Sequence, residues 1–404
     1  MANHYRELFT TPGATGLVLA SSIARLPQAM IGIGIGIITM LVQQTGVYWL
    51  AGAVAGTFTL ANALLGPVIS RFVDQRGQSR VLPIVTAFSV VMLLALIFAV
   101  YMRAPAALFF VLAALAGTMP SMPSMIRARW TQLFRGKPQL HTAFSLDTVL
   151  TELAYIIGPP LAIGLSVTFF AEAGPLVAVG LLAIGVTAFL MQRQTEPKVV
   201  VGNRSNTGST LLIPGVRTIV LALLAMGAIG GAIDVAVVAF ANDQGWPASA
   251  TFILAAYALG SLVAGLTFGA LRLTLPIEKQ FFIGILVTAI TGVLPVFATD
   301  VYVLSAMLFI AGISFAPTMV VVMKLGTIII PASRMTEGLT WMTTGISIGV
   351  ALGGMLAGPV IDAYGARAGF GVAIGAGVMM MVVVLIGLRT LAAASTTNIE
   401  SAYS

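Results

Sequence analysis

The chain has 404 residues, of which 58% are hydrophobic and 8% charged. A soluble domain carries about 25% charged residues, and no soluble fold hides this much apolar surface, so lipid is the solvent the sequence requires. The absence of cysteine excludes disulfides and thiolate metal sites, and the formal net charge of +7 reads as the cytoplasmic excess of Lys and Arg on a membrane protein rather than as a nucleic-acid surface.

A short polar lead containing Arg6 runs to Pro12. Twelve runs of membrane length follow, each near the ~20 residues that a helix needs at ~1.5 Å per residue. They cover approximately 14–42, 47–69, 82–101, 105–126, 143–168, 174–192, 216–241, 248–271, 280–298, 301–323, 337–361 and 368–389. Their unbroken apolarity excludes the alternating pattern of a membrane barrel. The first run is long and lacks a small-residue cleavage site, so it is expected to stay as a span. With the N-terminus inside, 17 Lys and Arg residues fall on the cytoplasmic side and two, Arg103 and Arg367, on the other, while Arg25 lies within a span. That bias predicts both termini cytoplasmic, and a bacterial inner membrane is the expected location. The polar stretch Gln192 to Pro214, containing GNRSNTGST, separates six spans from six. The expected organisation is therefore an N-terminal bundle at 1–191, a cytoplasmic linker at 192–214 and a C-terminal bundle at 215–404.

Between spans 2 and 3 lies GPVISRFVDQRGQSRVLP, Gly66 to Pro83, with Arg71, Arg76 and Arg80 around Asp74 and with Gly77 as the turn residue. Gly-Pro recurs at Gly66-Pro67, Gly158-Pro159 and Gly358-Pro359, and GPVIS at 66 is nearly repeated by GPVID at 358. On these residues the chain resembles the major facilitator superfamily, which carries G-x-L-a-D-R-x-G-R-R between its second and third helices. Asp74, Gly77 and Arg80 match that pattern. Ser70 stands in place of its first glycine, and Gln78 and Ser79 replace the usual basic pair. Span 5, LDTVLTELAYIIGPPLAIG, resembles the G-x-x-x-G-P-x-x-G-G of the drug-exporting branches. Gly158 and Pro159 form its core, Ala154 and Ala162 are small substitutes and Ile163 departs. Where those branches carry an arginine in span 4, four residues before a glycine, this chain has Ala113. The resemblance implies an all-α integral membrane fold: twelve transmembrane helices in two six-helix halves with nested three-helix inverted repeats. It also implies a gating motif of Asp74, Gly77 and Arg80, with Glu337 at the start of span 11 as a partner for Arg80.

Ionisable groups within spans are costly unless they face a cavity or a partner. Arg25 lies on a small, polar stripe with Ser22, Gln28, Gly32, Gly36, Thr39 and Gln43. Glu152 shares a face with Thr148, Tyr155 and Pro159, and Asp147 points about 140° away from it at ~100° per residue. Asp234 follows Gly227, Gly230 and Gly231 in span 7. Read functionally, Arg25, Gln28, Glu152, Tyr155 and Asp234 line a cavity and bind substrate or protons. Read structurally, Arg25 neutralises Glu152 across a helix contact and Asp147 is a gate residue. No phosphate-binding loop and no metalloprotease motif are present, and His4 and His141 are the two histidines. The expectation is a monomeric secondary transporter, not an enzyme, without cofactor, metal or nucleic-acid partner, that exports a small organic molecule in exchange for protons. Glu152 is the expected coupling acid. Proton-coupled uptake of a peptide, sugar or metal chelate is the alternative, and a non-transporting receptor or membrane enzyme is the rival of a different class.

Overall fold

Hydrocarbon offers no water to a backbone N–H or C=O, so an apolar run must satisfy them internally by coiling into a helix. In the computed structural model the described residues form helices and short connections, without a strand. These residues are 8–32, 34–134, 137, 139–197, 210–270, 275–330 and 335–403; the side chains at 74, 141, 145, 152, 266, 269, 270, 327, 335–337, 389 and 392–403 are outside the description. Among them, nine helices are long and apolar enough to cross a membrane, a bent pair counts as a tenth when taken as one span, and two shorter apolar helices, Ala106–Ala116 and Ser249–Gly265, bring the apolar segments to twelve. The chain divides into two compact units.

The first unit comprises Met1–Gly46 and Thr57–Arg204. Its first span is broken. Helix α1 (Ala14–Pro27) passes into one π-turn (Gln28–Gly32), and α2 (Ile35–Thr45) leaves at a 46° bend. Pro27 removes a backbone donor at the end of α1, and Gly34, at φ 93°, takes the left-handed conformation that lets α2 start in a new direction. Helix α3 (Tyr48–Arg76) begins in residues that belong to the second unit. It is followed by α4 (Gln78–Tyr101), α5 (Ala106–Ala116), α6 (Met122–Phe134), α7 (Gln139–Thr168) and α8 (Ala173–Met191). Span 4 is thus two helices, α5 and α6, separated around Met119 and Pro120 where the sequence has its Met-Pro repeats. Gly77, at φ 89°, makes the one-residue turn from α3 to α4 that the motif demands.

The second unit comprises Val47–Gly56 and Ser205–Ser404. Its helices are α9 (Pro214–Asp243), α10 (Ser249–Ala270), α11 (Ile277–Thr291), α12 (Val301–Ile329), α13 (Met335–Tyr364) and α14 (Ala366–Tyr403). The sequence-derived linker at 192–214 lies mainly at 198–209, outside the described residues. Helix α9 is the most enclosed element, packed on α13 and α14, while α10 packs on α12. The α9–α13 seam is backbone against backbone. A methyl on Gly227 or Gly231 would strike the carbonyls of Ile346 or Val350, and one on Gly349 or Gly353 those of Leu224 or Ala228. Small residues of this kind gain dispersion contacts that lipid cannot match. The same device holds the first turns of α3, where Gly358 lies against Trp49 and Gly52 against Gly354. There Asp362 accepts hydrogen bonds from the free amides of Tyr48 (3.0 Å) and Trp49 (2.7 Å), and the Tyr48 hydroxyl accepts one from Asn242 Nδ2 at 2.9 Å. At the start of α12, outside the apolar span, Asp300 accepts from the amides of Tyr302 and Val303. The Val303 N–H is the main cause holding its carboxyl below the ordinary carboxylate range.

Alanine at Gly231 or Gly349 should lower the stability of the detergent-solubilised protein by about 1–3 kcal/mol, because the seam must open to admit the methyl. Alanine at Gly371, which is exposed and where a methyl meets nothing, should hold or raise it. Thermal melts of the three variants give the comparison.

Candidate functional site

In the first unit Arg25 is the centre of a buried ionic cluster. It sits on α1 three residues before the π-turn, and two glycines bring its neighbours in. Gly158 of α7 rests on Ala29 within the π-turn, and Gly185 of α8 rests on Ala24. The Arg25 guanidinium donates from Nη2 to Asp147 Oδ1 at 3.0 Å. From Nη1 it donates to the Asp147 carbonyl at 2.9 Å and to Thr151 Oγ1 at 2.7 Å, and from Nε to the Ser21 carbonyl at 3.0 Å. Asp147 Oδ2 accepts from Arg127 Nε at 3.1 Å. Arg25 and Asp147 are 2% and 0% exposed, whereas Arg127 is 55% exposed. One carboxylate therefore serves a buried and a solvated cation, and the group carries one net positive charge.

Among the described residues the partners of Arg25 are Asp147, Thr151 and Ser21. The expected Arg25–Glu152 contact falls on a side chain outside the description. Asp147 and Thr151 are four residues apart and share the face of α7 that meets α1, while Glu152 lies ~140° around the helix from Asp147. The Glu152 side chain itself lies outside the described residues, as do those of Asp74 and Glu337. Gln28 opens the π-turn, and its Oε1 is buried without a hydrogen-bond partner. Tyr155 lies one turn beyond Thr151 on α7 and is half-buried. Gly158 and Pro159, read as a packing motif, sit where α7 touches the broken span. The i, i+4 spacing of Asp147 and Thr151 was the available signal for the pairing.

Around Gly77 the two departures from the motif have their own partners. Gln78 Nε2 donates to the Met125 carbonyl at 3.1 Å, and its Oε1 accepts from Arg129 Nε at 2.7 Å. Arg129 is fully buried. It also donates to the Phe189 and Gln192 carbonyls and to Thr195 Oγ1, with its guanidinium 3.7 Å from the centre of the Phe189 ring. The amide of Ser79 donates to Glu196 Oε1 at 2.7 Å. Arg80 is exposed. A neutral amide at Gln78 thus fixes the ends of α4, α6 and α8 together through Arg129, which the sequence pattern did not single out.

In the second unit Asp234 projects from α9 at half-buried position, beside Gly230, whose own face meets nothing within 4 Å. Helices α10 and α12 both pack on α9, and the Tyr257 ring of α10 is 6.1 Å from that of Phe315 on α12, edge to face. Among the described residues no group of three or more potential ligands converges as a metal site.

Residues 17–276 match the Major Facilitator Superfamily, and the chain belongs to that family. Among solved structures, a mutant of the nucleoside transporter NupG superimposes with a TM-score of 0.72 at 14% identity, covering 93% of this chain and 99% of that one. A peptide transporter, POT, gives 0.71 at 13% identity, covering 96% and 95%. A bacterial homologue of the human lysosomal transporter Spinster gives 0.68 at 15% identity, covering 96% and 98%. A search of curated protein sequences returns no match. Identities this low carry the fold alone.

Replacing Asp147 by asparagine should cost about 3–5 kcal/mol, because it leaves the buried Arg25 charge uncompensated. Arg127→Ala removes a solvated partner of the same carboxylate and should cost about 0.2–1 kcal/mol. Thermal denaturation in detergent separates the two.

Proposed function

We propose that the chain is a secondary active transporter of a small organic solute, working by alternating access and coupled to protons, with export as its direction. The observation that carries this reading is the charged group Arg25–Asp147–Arg127 placed beside a broken span. Charges inside a membrane bundle mark solute or ion paths, and a discontinuous helix leaves backbone groups free to bind. The unpartnered Gln28 oxygen at the break supports a polar contact with the solute. Arg25, Gln28, Tyr155, Glu152 and Asp234 form the proposed substrate and proton machinery, with Glu152 as the coupling acid, since no phosphate-binding motif supplies another energy source. Asp74, Gly77, Arg80 and Glu337 are proposed as the cytoplasmic gate. The two halves, 1–191 and 215–404, are proposed as the moving bodies of a monomer in a bacterial inner membrane, with both termini cytoplasmic. Uptake is the second reading. Ala113, where exporters carry an arginine, favours it.

In proteoliposomes with an imposed pH gradient, Glu152→Gln should abolish gradient-driven flux while leaving solute exchange intact. Wild-type rates with unchanged pH dependence would remove Glu152 from coupling. The sign of net flux in oriented vesicles decides between export and uptake. For topology, a periplasm-active reporter fused after Ser404 should be silent and one inserted between Asp243 and Pro247 active; a signal from the first would overturn the orientation.

A further inference from the structure

Among the described residues, Asp234 is a carboxylate in the body of an apolar helix without a counter-charge. Among the described residues it makes no ion pair and no hydrogen bond, although it sits in the body of α9. Arg217, on the same helix, is seventeen residues away, about 25 Å along the axis. Lys324, on α12, stands nine residues beyond Phe315, about 13 Å. A carboxylate in such surroundings needs a cation to remain charged, and none of the described residues pairs with it.

What the protein does bring is aromatic. Tyr257 and Phe315 stand edge to face on α10 and α12, both half-buried, and both of these helices pack on α9, the helix that carries Asp234. Their approach is built in by close helix contact, since Gly260 of α10 lies against the Phe309 carbonyl and Gly312 of α12 against that of Tyr257. The Tyr257 hydroxyl makes no hydrogen bond among the described residues and is free to meet a ligand. Gly230, one turn before Asp234, keeps the adjacent space clear of any side chain. An aromatic face attracts a cation lying within about 6 Å of its centre, and organic ammonium ions are well suited to it. Sodium or a divalent metal would require several oxygen ligands, whereas this group offers one carboxylate and one hydroxyl. An anionic solute would be repelled.

We infer that Asp234, Tyr257 and Phe315 form a binding site for a monovalent organic cation, a protonated or quaternary amine on an apolar body. The inference rests on the reading of the chain as a transporter and names the class of solute its second unit accepts. The carboxylate supplies the counter-charge, the two rings take the apolar body, and the space beside Gly230 admits it.

The test is equilibrium binding to the purified full chain in neutral detergent, without membrane or gradient. Tetraphenylphosphonium and tetraphenylborate have the same shape and opposite charge. The wild-type protein is expected to bind the cation saturably and at least tenfold more tightly than the anion. Asp234→Asn should lower cation affinity tenfold or more while melting within a few degrees of wild type, and Phe315→Ala or Tyr257→Ala should lower it about three- to tenfold. Equal affinity for the two ions, or a folded Asp234→Asn variant that binds the cation as well as wild type, overturns the site. A folded Asp234→Ala variant serves the same comparison if asparagine does not fold. Cation binding that survives in a protein without flux would overturn the transport reading and leave the site standing. Flux without cation binding would do the reverse.

Discussion

A charge in hydrocarbon must find its opposite inside the protein, and the first unit is built around one such meeting. Arg25 and Asp147 are both buried, so neither can be hydrated and each depends on the other. The dependence reaches into the backbone. Asp147 offers its carbonyl as well as its carboxylate, Thr151 adds a hydroxyl, and Ser21 a further carbonyl. Four acceptors from two helices fix the guanidinium plane, and with it the angle at which α1 meets α7. Gly158 and Gly185 are the complement of that arrangement, because a side chain at either would push α7 or α8 away from the arginine. The 46° bend between Gly32 and Ile35 then follows about two turns beyond Arg25.

The second unit solves the same problem differently. Among the described residues its central seam holds no ion pair. Helices α9 and α13 approach through glycine on both sides until backbone meets backbone, a contact whose strength comes from many small dispersion terms. Polar capping is confined to the ends, at Asp300 and Asp362. One unit is thus held by a few strong, directional contacts and the other by a continuous weak one, with Asp234 left as the exception.

Much of this was legible in the sequence. The apolar runs mark the helices because lipid permits no other backbone solution, and Gly77 marks its turn because few other residues accept its φ. Arg25, Gln28 and Gly158 were recognisable as unusual for a lipid-facing surface. What the sequence withheld depended on distance in space. The pairing of Arg25 with Asp147 rests on which face of α7 meets α1, an angle that hydropathy along a uniformly apolar helix does not report. Gln78 reads as a lost basic residue until Arg129, fifty-one positions later, is seen to donate to it. The break in span 1 was hidden because the residues before and after it are equally apolar. The pairing of Tyr257 with Phe315 needed the close passage of α10 and α12.

Helix α9 has one more implication, for the making of the protein. Its apolar window is 78% buried within the folded chain, and along it stand Asp234 and the glycines 227, 230 and 231. During synthesis α9 emerges about a hundred residues before α13, the helix against which those glycines fit. Until then it must sit in lipid with an aspartate whose insertion is disfavoured by about 2.5–3.5 kcal/mol at a helix centre, offset only by its own valines, leucines and isoleucines. The segment is therefore apolar enough to enter the bilayer alone and polar enough to be poorly content there. The backbone contacts that enclose its glycines are completed only after α13 has been made.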